Sequence, residues 1–145
     1  MAVVWCGIDE RGTWFMSNPE QKDGAFLLSL PADMSYLLVA RMALSGFGML
    51  AGLDVDQVDD LRTVVDECCD CLLHQGKLPQ KFSIAAKVCC GRFCCSFTAE
   101  EREEAASADA QDYEVTRCIL ETLLPDVQLL CDEAGVYCID VSMPL

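Results

Sequence analysis

Positive charge is what this chain has least of: ten Lys and Arg stand against 24 Asp and Glu, a formal net charge of -14. Such a surface repels phosphate backbones and anionic lipid faces at any range beyond a Debye length, so neither a nucleic-acid nor a membrane partner is expected. No uninterrupted apolar run approaches the roughly 18 to 20 residues a membrane span needs. The opening MAVVWCGIDERG has no basic segment leading into a long apolar stretch and a small-residue cleavage site. No secretory signal is therefore expected, and a cytoplasmic location is. Internal repeats are missing. There is one histidine, His74, near the end of an expected helix, where the dipole favours a cation and nothing more need be assigned to it.

Hydrophobic residues, by contrast, make up 52% of 145 residues, enough for one ordinary core without disulfides or metal. Cysteine is abundant at 11. The count is odd and a reducing compartment is expected, so thiols rather than disulfides follow, with Cys68, Cys118 and Cys138 at positions suited to small apolar core filler. Cys68, Cys69, Cys71, His74, Cys89, Cys90, Cys94 and Cys95 leave a metal or redox sensor open. Against it, the one C-x-x-C lies inside a helix, and adjacent strand cysteines point to opposite faces.

The chain is organised around residues 54–76, DVDQVDDLRTVVDECCDCLLHQG. Val58, Leu61, Val65, Cys68 and Leu72 recur at helical spacing with acids between them, Asp54 and Gln57 form a capping box, and Gly76 offers a left-handed stop. Before it, residues 3–17 suggest a hairpin, 18–24 a polar connector, and Phe26 to Leu30 a strand. Asp33 caps a helix from Met34 to Leu50, with Leu37, Leu38, Met42 and Leu44 as its buried stripe and with Gly46 and Gly48 requiring close packing or an early fray. After it, Lys81 to Cys89 and Arg92 to Thr98 form a hairpin around Cys90-Gly91. Residues 99–114 carry seven acids and one Arg, a solvated helix or loop. Val115 to Leu124 returns to helical spacing through Val115, Cys118, Ile119, Thr122 and Leu123, Pro125 stops it, and Val127 to Cys131 with Val136 to Met143 make a terminal hairpin.

Helices that cluster in sequence beside hairpins predict an α+β protein, a two-layer α/β sandwich with its helices on one face. Four stretches fill that order: SLPADMSYLLVARMALSG at 29–46, DDLRTVVDECCDCLLHQ at 59–75, ILETLLPDVQL at 119–129 and GVYCIDVSM at 135–143. With them the chain resembles the anti-sigma-factor serine kinases, small members of the histidine-kinase-like ATPase (GHKL) superfamily. The likeness runs from residue 25 to residue 145 and leaves 1–24 as an extension. It implies a Bergerat-type fold with a mixed, mostly antiparallel sheet.

The resemblance also implies three ATP-site motifs. On the central helix the family has a Glu, the general base, and four residues later an Asn that holds magnesium; Glu67 and Cys71 stand there. A thiol is a poor ligand for a hard cation. A one-residue slip would instead put Asp66 at the Glu, Asp70 at the metal-ligand position and His74 where the family often has His. At the second motif Ala99 replaces the Asp that binds adenine, with Glu101 in the run where glycines are expected and Glu100 one place away as a shifted substitute. At the third, Glu114 and Thr116 stand at the glycines of the phosphate cradle, where a carboxylate meeting phosphate costs about 1 kcal/mol in water and more where solvent is excluded.

These losses imply a degenerate anti-sigma-factor-like domain without ATP binding, a protein-binding module in transcription control whose partner is a sigma factor, an anti-sigma antagonist or a second copy of itself. No cofactor is expected, and Glu67 is then vestigial. The alternative is a divergent protein serine kinase using ATP and Mg, with Glu67 as base and Asp70 as metal ligand.

Overall fold

The computed structural model describes residues 25–104 and 113–145. The hairpin and connector expected within 1–24 lie outside them. The described chain runs β1 (Phe26–Pro31), a single 3-10 turn (Met34–Tyr36), α1 (Leu37–Ala51), α2 (Val55–Leu73), β2 (Lys77–Leu78), β3 (Lys81–Cys89), β4 (Arg92–Glu100), β5 (Glu103–Glu104), α3 (Tyr113–Leu123), β6 (Asp126–Asp132) and β7 (Gly135–Pro144).

Five strands form one sheet in the order β1-β3-β4-β7-β6, and β2 pairs with β5 in a small second sheet. Every ladder is antiparallel, so the sheet is not the mixed one expected. The helices lie on one face, and the alternation of the strands decides what they touch. Ile84, Phe97 and Ile139 are cross-strand neighbours on that face, as are Ala86, Cys95 and Val141. With Leu44, Leu61, Val65, Cys68, Leu72 and Leu120 they make a single apolar cluster. Burying each of its larger side chains stabilises the fold by about 1.5 to 3 kcal/mol.

Local signals explain the element ends. Asp54 accepts from Gln57 N at 2.8 Å while Gln57 Oε1 accepts from Asp54 N at 3.0 Å, completing the capping box. Cys90 and Gly91 both take positive φ in the β3–β4 turn, the geometry that matches a two-residue loop to strand twist. The left-handed stop expected at Gly76 is found at Gly52 instead, where φ is 105° at the end of α1. Gly76 serves by its size: its N–H donates to Ala134 O at 2.9 Å, and a Cβ there would stand 3.0 Å from that same oxygen.

Two helix faces were misassigned from spacing. On α1, Leu37 and Leu44 are buried with Ala40, Ser45 and Gly48, but Leu38 and Met42 are exposed. Between Leu37 and Leu44 and after them, small residues take the buried side because the neighbours come close: a Cβ on Gly48 would meet Leu53 Cδ1 of the connecting turn at 2.8 Å and Leu61 Cδ2 of α2 at 3.3 Å. Gly46 meets nothing, and α1 continues through both glycines to Ala51. On α3, Thr116, Leu120 and the following Leu124 are buried, while Val115 and Cys118 are exposed. The four-residue spacing of 116, 120 and 124 wins over the expected stripe one position earlier, since Thr116 has a buried polar partner on α2. In the acidic tract, 99–100 complete β4 and 103–104 form β5.

Residues Met34–Ala51 are by length and composition apolar enough to cross a membrane, with a mean hydropathy of 1.4, although Arg41 interrupts the apolar run. One side of this segment is packed on α2, and Arg41 Nε lies 3.4 Å from Asp66 Oδ1 across that contact.

Candidate functional site

The C-terminal half of α2 carries three of the expected positions, and α3 closes over one of them. Cys71 is 1% exposed and Thr116 3%. The Thr116 hydroxyl draws the Cys71 thiol down, but burial dominates and pushes it up to about 11; Gln75 Nε2 lies 3.6 Å from Cys71 Sγ. A turn further on, buried Gln75 donates from Nε2 to Cys71 O at 2.8 Å and accepts from Val136 N at 3.0 Å. The helix end is thus tied to the β6–β7 hairpin. A neutral, packed thiol offers nothing to a hard cation.

Glu67, one turn earlier and partly buried, has its carboxyl raised above the ordinary range by burial first and then by Asp70 and Asp66. Nothing positive offsets that. The slipped register fares differently, because its members turn to separate neighbours. Asp66 pairs with Arg41 on α1, and Asp70 Oδ1 lies 3.3 Å from His74 Nδ1, which also contacts Asp70 O at 2.8 Å.

At the end of β4, Ala99 faces the helices within the apolar cluster, opposite Phe82. Its methyl group has no polar atom with which to hold a base. Glu100 and Glu101 both face Lys81, at 3.9 and 3.6 Å. Glu101 has φ 54°. The backbone there adopts the left-handed shape that glycine favours, now carrying a side chain. Glu114 lies in the exposed first turn of α3, where the helix dipole favours an acid.

One polar centre was missed. Arg102 reaches Asp132 with two bonds, Nη1 to Oδ2 at 2.5 Å and Nη2 to Oδ1 at 3.3 Å, and its guanidinium lies 5.8 Å from the centre of the Tyr137 ring. Asp132 is held below the usual carboxylate range chiefly by that arginine. The available signal was that Arg102 is the single base among the acids of 99–114.

The cysteines divide by face. Burial raises Cys68 and Cys95 well above the ordinary thiol range and Cys69 to about 12, whereas Cys90, Cys118 and Cys131 are exposed. Cys118 is therefore not the core filler expected of it. Among the described residues no three His, Cys, Asp or Glu side chains are grouped to hold a metal ion.

The architecture is a two-layer α+β sandwich with a five-stranded antiparallel sheet. It superposes on the crystal structure of the RsbU and RsbW domains of Rv1364c from Mycobacterium tuberculosis with a TM-score of 0.66 over 84% of this chain, at 14% identity. The chain spans 32% of that one. No family model and no curated protein matches the sequence.

Proposed function

We propose that this chain is a regulatory module of the anti-sigma-factor kind that binds protein and has lost ATP. The observation that carries the reading is the Cys71–Thr116 contact. At the positions where the resemblance requires a magnesium ligand and a phosphate cradle, α2 and α3 meet through a neutral thiol and a hydroxyl, both buried. Ala99 in the core and the side chain on Glu101 support it from the adenine end. Without a phosphoryl donor Glu67 has no hydroxyl to activate. The shared fold supports the anti-sigma side of the proposal.

The partner is a protein of the cytoplasm: a sigma factor, its anti-sigma antagonist, or a second copy of this chain. Leu38, Met42, Met49 and Leu50 leave one side of α1 apolar and exposed, a grouping that suits a protein partner. The test is complex formation with a sigma factor and an anti-sigma antagonist encoded in the same genome, measured with and without ATP and magnesium. Binding that is equal in both conditions is expected. A complex that forms only with nucleotide, or an antagonist that becomes phosphorylated, would overturn the proposal.

A further inference from the structure

Neighbouring cysteines on a strand point to opposite faces, which counts against any site shared by Cys89 and Cys90. The structure removes that objection for this pair. β3 ends at Cys89, and Cys90 opens the β3–β4 turn at φ 53°, followed by Gly91 at φ 72°. The left-handed backbone breaks the strand alternation at this point. The two sulfurs come within 3.7 Å of each other, with Cys89 half-buried and Cys90 exposed. Neighbouring groups fix the turn: Cys89 stands opposite Arg92 in the ladder, and Leu145 N–H donates to Gly91 O at 3.0 Å.

Two chemistries use a pair of thiols, and their spacings differ. A disulfide needs sulfurs about 2.04 Å apart and Cα atoms roughly 4.4 to 6.8 Å apart, whereas the Cα atoms of consecutive residues stand about 3.8 Å apart. Closing that bond between Cys89 and Cys90 would strain the turn. Two thiolates each about 2.3 Å from one cation at the tetrahedral angle lie about 3.8 Å apart. The observed 3.7 Å matches the second arrangement. Arg92, the cation opposite Cys89, is occupied elsewhere: its guanidinium is held by Asp126 and by Ser142, with Nη2 to Oγ at 3.0 Å. The net charge of -14 draws cations toward the chain as a whole.

We propose that Cys89 and Cys90 form a chelating site for a thiophilic divalent cation with a filled d shell, the class of zinc and cadmium. Thiolate pairs select such ions over the hard cations that prefer oxygen. As the ion binds, each sulfur releases its proton to solvent and forms one bond to the metal, and no electron is transferred. Among the described residues no third His, Cys, Asp or Glu side chain joins the pair. Water completes the coordination, so the bound ion exchanges more readily than one enclosed by four protein ligands. The helix thiols Cys68 and Cys69 and the strand thiol Cys95 are buried and take no part.

The test is titration of the reduced, full-length chain with cadmium, followed by the ultraviolet charge-transfer band of thiolate-bound metal, and with zinc in competition with a chromophoric chelator. Cys89→Ser and Cys90→Ser are each expected to weaken binding at the tightest site by at least about tenfold, while Cys118→Ser and Cys131→Ser leave it unchanged. A Val88→Cys, Cys90→Ser double variant keeps two adjacent thiols but turns them to opposite faces of β3, and it is expected not to recover the loss. Alkylation of the unmutated chain gives a reading that needs no variant: one equivalent of cadmium is expected to protect Cys89 and Cys90 at least about tenfold and to leave Cys118 reactive. Unchanged affinity in the two single variants, full recovery in the double variant, or cadmium protection confined to other cysteines would overturn the proposal. So would ready closure of a Cys89–Cys90 disulfide by oxidised glutathione in a chain that shows no binding of either metal.

Discussion

Gln75 and Val136 are 61 residues apart in sequence and share a buried hydrogen bond, Gln75 Oε1 accepting from Val136 N at 3.0 Å. The same amide group donates to Cys71 O at 2.8 Å, so one side chain fastens the end of the central helix to the terminal hairpin. Gln75→Leu removes both partners and leaves Val136 N–H unsatisfied in the interior. A loss of about 2 kcal/mol is expected, read as a lower urea midpoint with an unchanged slope.

Gly135 tests the same junction from the other side. Its φ is 107°, and a Cβ there would fall 2.2 Å from Gln75 Oε1. Gly135→Ala combines a strained backbone with a displaced buried amide, and a loss of about 3 kcal/mol is expected in thermal or chemical unfolding. Gly46→Ala, where nothing lies within 4 Å, is expected to raise stability by up to about 1 kcal/mol because the helix interior then gains a better former.

Glu67 and Asp132 predict opposite pH dependences. The fold raises the Glu67 carboxyl above its ordinary value of 4.5, so ionisation works against folding. That penalty is absent at low pH and sets in as pH rises past 4.5 toward the folded value. Glu67→Gln is expected to raise Tm at about pH 7 and to leave it unchanged at about pH 3.5. Asp132 is lowered below 3.8 by Arg102, so its contribution is present above that value and lost as pH falls through the folded one. Asp132→Asn is expected to lower Tm at about pH 7, with the difference disappearing in acid.

The buried thiols are expected to be inert. Cys69 is raised to about 12 and Cys71 to about 11 by burial, whereas Cys90 and Cys118 are exposed. Alkylation at about pH 8 followed by peptide mass spectrometry is expected to label Cys90 and Cys118 first and the two helix cysteines only on unfolding. Labelling of Cys71 in the native protein would mean that α3 opens from α2.

The central helix was legible in the sequence because its cap, its apolar stripe and its acidic face agree, and agreement between levels is what makes a segment readable. The β3–β4 turn was legible through Cys90-Gly91. The faces of α1 and α3 were not. Large side chains such as Leu38 and Met42 look like core, but at α1 the close approach at Gly48 selects small residues, and a helix with apolar residues all round carries no mark of which side is inward. Of the candidate site, the identities of Cys71 and Thr116 were readable, but not that they touch. Nor was the left-handed backbone at Glu101 foreseen, since a non-glycine residue gives no local sign of it. The ion pair of Arg102 and Asp132 joins residues 30 positions apart, and nothing local specified its partner.

The measurement that tests the account most directly is calorimetric titration of the whole chain with ATP and with ADP, each with and without magnesium. The account predicts no heat of binding and no thermal stabilisation at millimolar nucleotide, as a buried Cys71–Thr116 contact in place of a metal and phosphate site requires. Micromolar, magnesium-dependent binding would contradict it, and would mean that α3 leaves α2 to admit the nucleotide.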